Sequence, residues 1–104
     1  MVNQIPHILE IKRTILSIEP ELRKVFIFGS RAQKKQPDGH SDIDIGIIGM
    51  KKLSHFQLHR IEEAVDSIDM LYLVDIVDFT DRDDDFTKQA LTEIEVLYEK
   101  TTDT

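Results

Sequence analysis

Ile8, Ile11, Ile15 and Ile18 recur at spacings of three and four, with Leu16 beside them. That period puts them on one face of an amphipathic helix, with Pro6 tolerated in its first turn and Pro20 beyond its end. The next segment, "KVFIF" from Lys24 to Phe28, is apolar and rich in β-branched and aromatic residues, and Gly29 stops it. It predicts a short buried strand. "QKKQPDGH", residues 33–40, gathers Pro37, Asp38 and Gly39 and predicts a loop with a turn. In "SDIDIGIIG", residues 41–49, carboxylates alternate with isoleucines in period two, the pattern of a second strand.

From Ser54 the period lengthens again. Leu58, Ile61, Val65 and Ile68 lie three, four and three apart, and Ser54 with Gln57 matches a capping box, so a second helix is expected. "LYLVDIVDF", residues 71–79, predicts a third strand carrying Asp75 and Asp78. The acidic run Asp81 to Asp85 precedes a helical stretch with Phe86, Ala90, Leu91 and Ile94. Carboxylates at a helix N-terminus complement the macrodipole, which accounts for this run better than a metal site does. "EVLYE", residues 95–99, predicts a closing strand, and residues 100–104 a frayed tail. Helix, strand, strand, helix, strand and helix in that order predict an α/β or α+β sandwich on a small mixed sheet.

Composition narrows the function. With 104 residues, 40% of them hydrophobic and 32% charged, residues 1–104 are expected to form one compact domain with a single modest core. The net charge of −7 opposes direct polynucleotide binding, because nucleic-acid affinity comes mainly from Lys and Arg neutralising phosphates. No cysteine is present, which excludes disulfides and thiolate metal sites. The start "MVNQIPHILEIKR" lacks the basic and unbroken apolar regions of a signal peptide, and no apolar run approaches the roughly 20 residues of a membrane span. A cytoplasmic protein with no membrane contact is expected.

Two aspartates in an isoleucine-rich strand are the unusual feature. Residues two apart in a strand share a face, about 6.5–7 Å apart, so Asp42 and Asp44 project side by side while Ile43, Ile45 and Ile47 pack on the other face. Two such carboxylates in a partly buried site repel unless a cation compensates them. An oxygen-only donor set suits Mg²⁺ or Mn²⁺. Asp-X-Asp recurs by chance and does not mark a site by itself, but Asp75 adds to it. It interrupts an apolar run in mid-strand, where an unpaired carboxylate would cost several kcal/mol. Three carboxylates would converge if its strand lay beside that of Asp42 and Asp44, and they would meet the needs of a two-metal centre. Gly29 permits close approach of a phosphate to the backbone, and Ser30 offers a hydroxyl and an N–H to its oxygens. His55 and His59, four apart on the second predicted helix, lack a third ligand and are expected to be solvent-exposed. Phe26, Phe28, Phe56, Phe86 and Tyr98 are expected in core or interface packing.

"FGSRA" at residues 28–32, "SDIDIGI" at residues 41–47 and "VDIVDF" at residues 74–79 together resemble the three signatures of minimal nucleotidyltransferases, the MntA-like antitoxin branch of the polymerase-β-type superfamily. The resemblance extends to "LTEIEVLYE" at residues 91–99 and so covers nearly the whole chain. It implies a nucleotidyltransferase fold with Gly29 and Ser30 at the triphosphate of ATP, and Arg31 is a candidate for binding the same phosphates. It also implies Asp42, Asp44 and Asp75 as catalytic carboxylates holding Mg²⁺, as two ions, with Mn²⁺ as the alternative. Asp75 rather than Asp78 matches the family position; strand parity sends the two to opposite faces, and Asp78, nearer the strand end, is expected to be solvated. Lys34 and Lys35 join Arg31 as candidates for steadying phosphates. Residues 1–104 are expected to leave no room for a second domain that would hold an acceptor, so the acceptor is expected to be held in trans. Members of this branch are commonly encoded beside a HEPN-domain ribonuclease toxin of the HepT type. The resemblance therefore implies AMP transfer from ATP to a tyrosine of such a partner in a hetero-oligomer, with antitoxin action. A non-catalytic antitoxin or accessory subunit that acts by stoichiometric binding is the alternative.

Overall fold

The computed structural model describes residues 7–29, 43–70 and 73–101. Helix α1 runs Ile8–Ile18, strand β1 Lys24–Phe28, strand β2 Ile43–Ile48, helix α2 His55–Asp66, strand β3 Val74–Asp78, helix α3 Asp85–Ala90 and strand β4 Glu95–Glu99. The element order is the one the hydrophobic periods predict. Pro6 and residues 71–72 lie outside the described residues.

The strands form one mixed sheet in the order β3-β2-β1-β4. β1 is antiparallel to both β2 and β4, whereas β2 and β3 are parallel. Parallel neighbours need a crossover, which α2 supplies. α2 begins as the sequence predicts: the Ser54 side chain accepts from the Gln57 N–H at 3.1 Å, and the Gln57 side chain accepts from the Ser54 N–H at 2.9 Å. The sheet also reaches past β4, because the Lys100 N–H, in the predicted tail, donates to the Arg23 carbonyl at 2.8 Å.

Strand alternation divides the sheet into two unlike faces. Val25, Ile27, Ile43, Ile45, Ile47 and Ile76 form the aliphatic face, covered by Ile8, Ile11 and Ile15 of α1 and Ile61 and Val65 of α2. Phe26, Phe28 and Phe79 occupy the other face, packed against Val77, Ala90 and Ile94. The helix-bearing face is thus sealed, and the aromatic face is covered by the short α3 region. Of the aromatics expected in core or interface packing, Phe56 is 70% exposed on the first turn of α2 and takes no part in either core. Among the described residues, no helix is long and apolar enough to cross a membrane.

Two aspartates of β3 depart from expectation in opposite directions. Parity separates them as predicted, but Asp78 is the buried one, at 9% exposure. Its carboxylate accepts from the Leu53 N–H at 2.9 Å, the Thr80 N–H at 3.0 Å and the Thr80 hydroxyl at 2.5 Å, and that hydroxyl in turn accepts from the Gly49 N–H at 2.8 Å. Three donors replace the water that a solvated strand end would provide, which makes burial of the charge tolerable. Asp75, by contrast, is exposed, because β3 is an edge strand and, among the described residues, the α3 region covers the phenylalanines of that face and leaves Asp75 open. Asp75 therefore bears none of the burial cost expected of a carboxylate in mid-strand. Asp78→Ala is expected to cost about 2–3 kcal/mol by leaving buried N–H groups unpaired. Urea denaturation measures this, and a loss below about 0.5 kcal/mol, the range of an ordinary surface change, would contradict the structural role.

Candidate active site

β1 ends in a turn that only glycine makes easily. Gly29 has φ +78°, and a Cβ at that position would lie 2.5 Å from Oδ2 of Asp44. The Asp44 carboxylate therefore lies directly against the turn, and both the backbone conformation and the close approach call for glycine. Asp44 pairs with Phe28 across the antiparallel ladder and with Asp75 across the parallel one. Phe28, Asp44 and Asp75 thus form a row across three strands on the aromatic face.

The register of that row brings two like charges together. Adjacent strands lie about 4.8 Å apart, and directly opposite like charges destabilise a sheet. The sequence names both aspartates but not this register, which is set by the long-range pairing of β2 with β3. Ser30, Arg31, Lys34, Lys35 and Asp42 all lie outside the described residues. Of the expected site residues, the structure brings Gly29, Asp44 and Asp75 together. Among the described residues, no group of three His, Asp or Glu side chains is arranged to hold a metal. The described donors, two carboxylates and no nitrogen or sulfur, match the oxygen preference of Mg²⁺ or Mn²⁺.

A cleft of about 740 Å³ opens beside the carboxylate row. Phe28, Val77, Leu73 and Phe86 supply apolar lining, and the cleft continues around the outer edge of β3 to His59, Glu62, Glu63 and Asp66 of α2. His59 is exposed, as expected, and lies 3.3 Å from the carboxylate of Glu63. Phe86 stands at the mouth, 52% exposed, and is stacked on Phe79 with centroids 5.9 Å apart.

Arg82 supports this wall. Its guanidinium lies 5.4 Å from the Phe79 ring centre and 5.6 Å from that of Phe86, and it donates to both oxygens of Asp84 at 3.2 Å. Asp84 also accepts from the Thr87 hydroxyl at 2.6 Å and stands at the N-cap position of α3, although its carboxylate caps no backbone N–H, so the acidic run lies at a helix N-terminus as the sequence predicts. The Arg82 hydrogen bond and then that of Thr87 hold the Asp84 carboxyl well below the usual carboxylate range. A depressed folded-state value contributes stability that is present above the ordinary carboxylate pKa and is lost only as pH falls through the lowered one, so this support is intact throughout the neutral range. Sequence reasoning placed Phe86 only as a packing residue and did not single out Arg82. The cue available was an arginine enclosed by aspartates and flanked by two phenylalanines.

The chain matches the family described as "Polymerase beta, Nucleotidyltransferase" over residues 10–103. It is 32% identical over 92 residues to a probable protein adenylyltransferase MntA of Haemophilus influenzae, an alignment covering 88% of this chain and 80% of that protein. Among solved structures it resembles a toxin–antitoxin crystal structure with AMP-PNP, with TM-score 0.69 and 23% identity over 88% of this chain and 73% of the other. It also resembles a structure of tri-AMPylated Shewanella oneidensis HEPN toxin in complex with MNT antitoxin, with TM-score 0.66 and 20% identity over 88% and 69% of the two chains. The family match over most of the chain, together with the 32% identity to an MntA protein, shows that this chain belongs to the polymerase β-type nucleotidyltransferases, among the minimal MntA-like members.

Proposed function

We propose that this protein is a Mg²⁺-dependent protein adenylyltransferase that moves AMP from ATP to a tyrosine of a HEPN-domain partner and so silences a toxin. The observation that carries the proposal is the in-register Asp44–Asp75 pair lying against the Gly29 turn. Opposed carboxylates gain a sheet no stability by themselves, and their oxygen donors suit a divalent cation. The names of the relatives supply the reaction class and partner: an adenylyltransferase, a complex with AMP-PNP and an AMPylated HEPN toxin.

In this mechanism the Gly29 backbone, with Ser30 and Arg31, cradles the triphosphate. Asp42, Asp44 and Asp75 would hold Mg²⁺, as two ions, which when bound neutralises phosphate charge and favours ionisation of the acceptor. The acceptor oxygen forms a bond to the α-phosphorus as the bond from that phosphorus to the bridging oxygen breaks, and pyrophosphate departs. Asp75, exposed at the edge of the sheet, would take the hydroxyl proton and pass it to water. Most of the acceleration then comes from orientation and from fixed charge around the transferring group.

Intact-mass measurement on a HEPN-domain partner, incubated with this protein, ATP and Mg²⁺, tests the proposal. Gains in whole AMP units are expected, and they should vanish with the Asp42→Asn, Asp44→Asn double variant. An unchanged partner mass within a tight complex would instead indicate neutralisation by stoichiometric binding.

A further inference from the structure

Resting on the adenylyl-transfer proposal, the cleft beside β3 can be given an occupant. In-line displacement places the attacking oxygen opposite the departing pyrophosphate. The Gly29 turn lies on the β1 side of Asp44, and Asp75 lies on its β3 side. With the leaving phosphates at the glycine turn, the acceptor must reach the α-phosphorus across β3. The cleft is on that side, and it couples an apolar wall to the Asp75 carboxylate.

Phe86 is the part of that wall best suited to bind an acceptor. A ring that is 52% exposed forgoes much of the stabilisation that burial would bring, yet this one is held firmly. Phe79 stacks on it at an interplanar angle of 19°, Phe28 meets it edge-on at 6.3 Å and 82°, and Arg82 is fixed against it by Asp84. An aromatic surface whose rotamer is already restricted loses little entropy when a ligand packs on it. Aromatic partners prefer such offset or edge-to-face contacts.

We infer that Phe86 is a specificity-determining residue of the acceptor site, packing against the aromatic ring of the acceptor side chain and directing its hydroxyl towards Asp75. A phenol satisfies both halves of the cleft: its ring matches the apolar wall and its hydroxyl reaches the carboxylate. An aliphatic hydroxyl gains nothing from Phe86.

The test uses the full chain with a HEPN-domain partner carrying either its acceptor tyrosine or serine at that position. KM is measured separately for partner and for ATP in wild type, Phe86→Ala, Phe86→Leu and Phe86→Tyr. Phe86→Ala is expected to raise the KM for the tyrosine partner about tenfold and to shrink the preference for tyrosine over serine by a similar factor, with the ATP KM within twofold. Phe86→Tyr should restore both values. Phe86→Leu, which keeps apolar bulk and so guards against a folding defect, should behave like Phe86→Ala. A rise in the ATP KM with no change for the partner would place the nucleobase on Phe86 and overturn the inference. So would an unchanged tyrosine preference in the alanine and leucine variants. A wild-type protein that transfers no AMP would overturn the function proposal itself, which is a distinct result.

Discussion

Asp44→Asn is expected to reduce nucleotidyl transfer by about 10³-fold while leaving thermal stability unchanged or slightly raised. The two halves of this outcome have one cause. Asn keeps the shape of the side chain, so the close contact with the Gly29 turn is preserved, but it removes a negative charge from a position directly opposite Asp75. Loss of that charge weakens any hold on a divalent cation at the moment when phosphate charge must be stabilised. It also relieves the repulsion across the β2–β3 pair, which is worth a few tenths to about 1 kcal/mol. Steady-state turnover at saturating Mg²⁺, measured beside a thermal melt, checks both. Retention of a tenth or more of wild-type turnover would remove Asp44 from the catalytic set. A fall in Tm of several degrees would mean that the carboxylate is held for structure instead.

A stability effect as large as that of Asp78→Ala is expected at a residue that touches no substrate. Gly46→Ala should destabilise the fold by about 2–3 kcal/mol, a fall of roughly 10 °C or more in Tm for a domain of this size. Gly46 sits in mid-β2, paired with Phe26 on one side and Val77 on the other. A Cβ there would overlap the Phe26 ring and approach Phe79 to 2.9 Å. Those rings are stacked at 29° with centroids 5.7 Å apart, so they have closed over the space that the glycine leaves. An interior strand cannot withdraw to make room, since β2 is bonded to neighbours on both sides. Phe26→Leu in the same chain should return part of the loss, because a smaller side chain reopens the space; equilibrium denaturation of the two single variants and the double variant measures this coupling. A Tm change below about 2 °C for Gly46→Ala would show that the aromatic layer adapts freely.

These two positions also mark how far the sequence could be read. Asp44 stood out because a carboxylate in an isoleucine strand breaks the local pattern, and its association with the Gly29 turn and Asp75 followed from the family motifs. Gly46 carried no comparable signal. Its requirement comes from Phe26 and Phe79, residues distant in the chain that meet over it only after the sheet has formed. Asp78 and Asp75 illustrate the same limit. Both occupy β3, and their opposite facing was predictable from alternation, but their burial was not. The Leu53 and Thr80 donors bury Asp78, whereas the edge position of β3 exposes Asp75.

By itself the sequence determined the kind and order of the elements, the α2 capping box, the glycine that ends β1 and the identity of the aspartates, because hydrophobic period, capping and backbone freedom act over a few residues. Only the tertiary structure decided that Asp44 stands opposite Asp75, that Asp78 is buried, and that Phe86 and Arg82 wall the cleft. Those outcomes depend on strand order and register, which arise when the α2 crossover lays β3 beside β2 and α3 closes over the phenylalanines, so no local pattern encodes them.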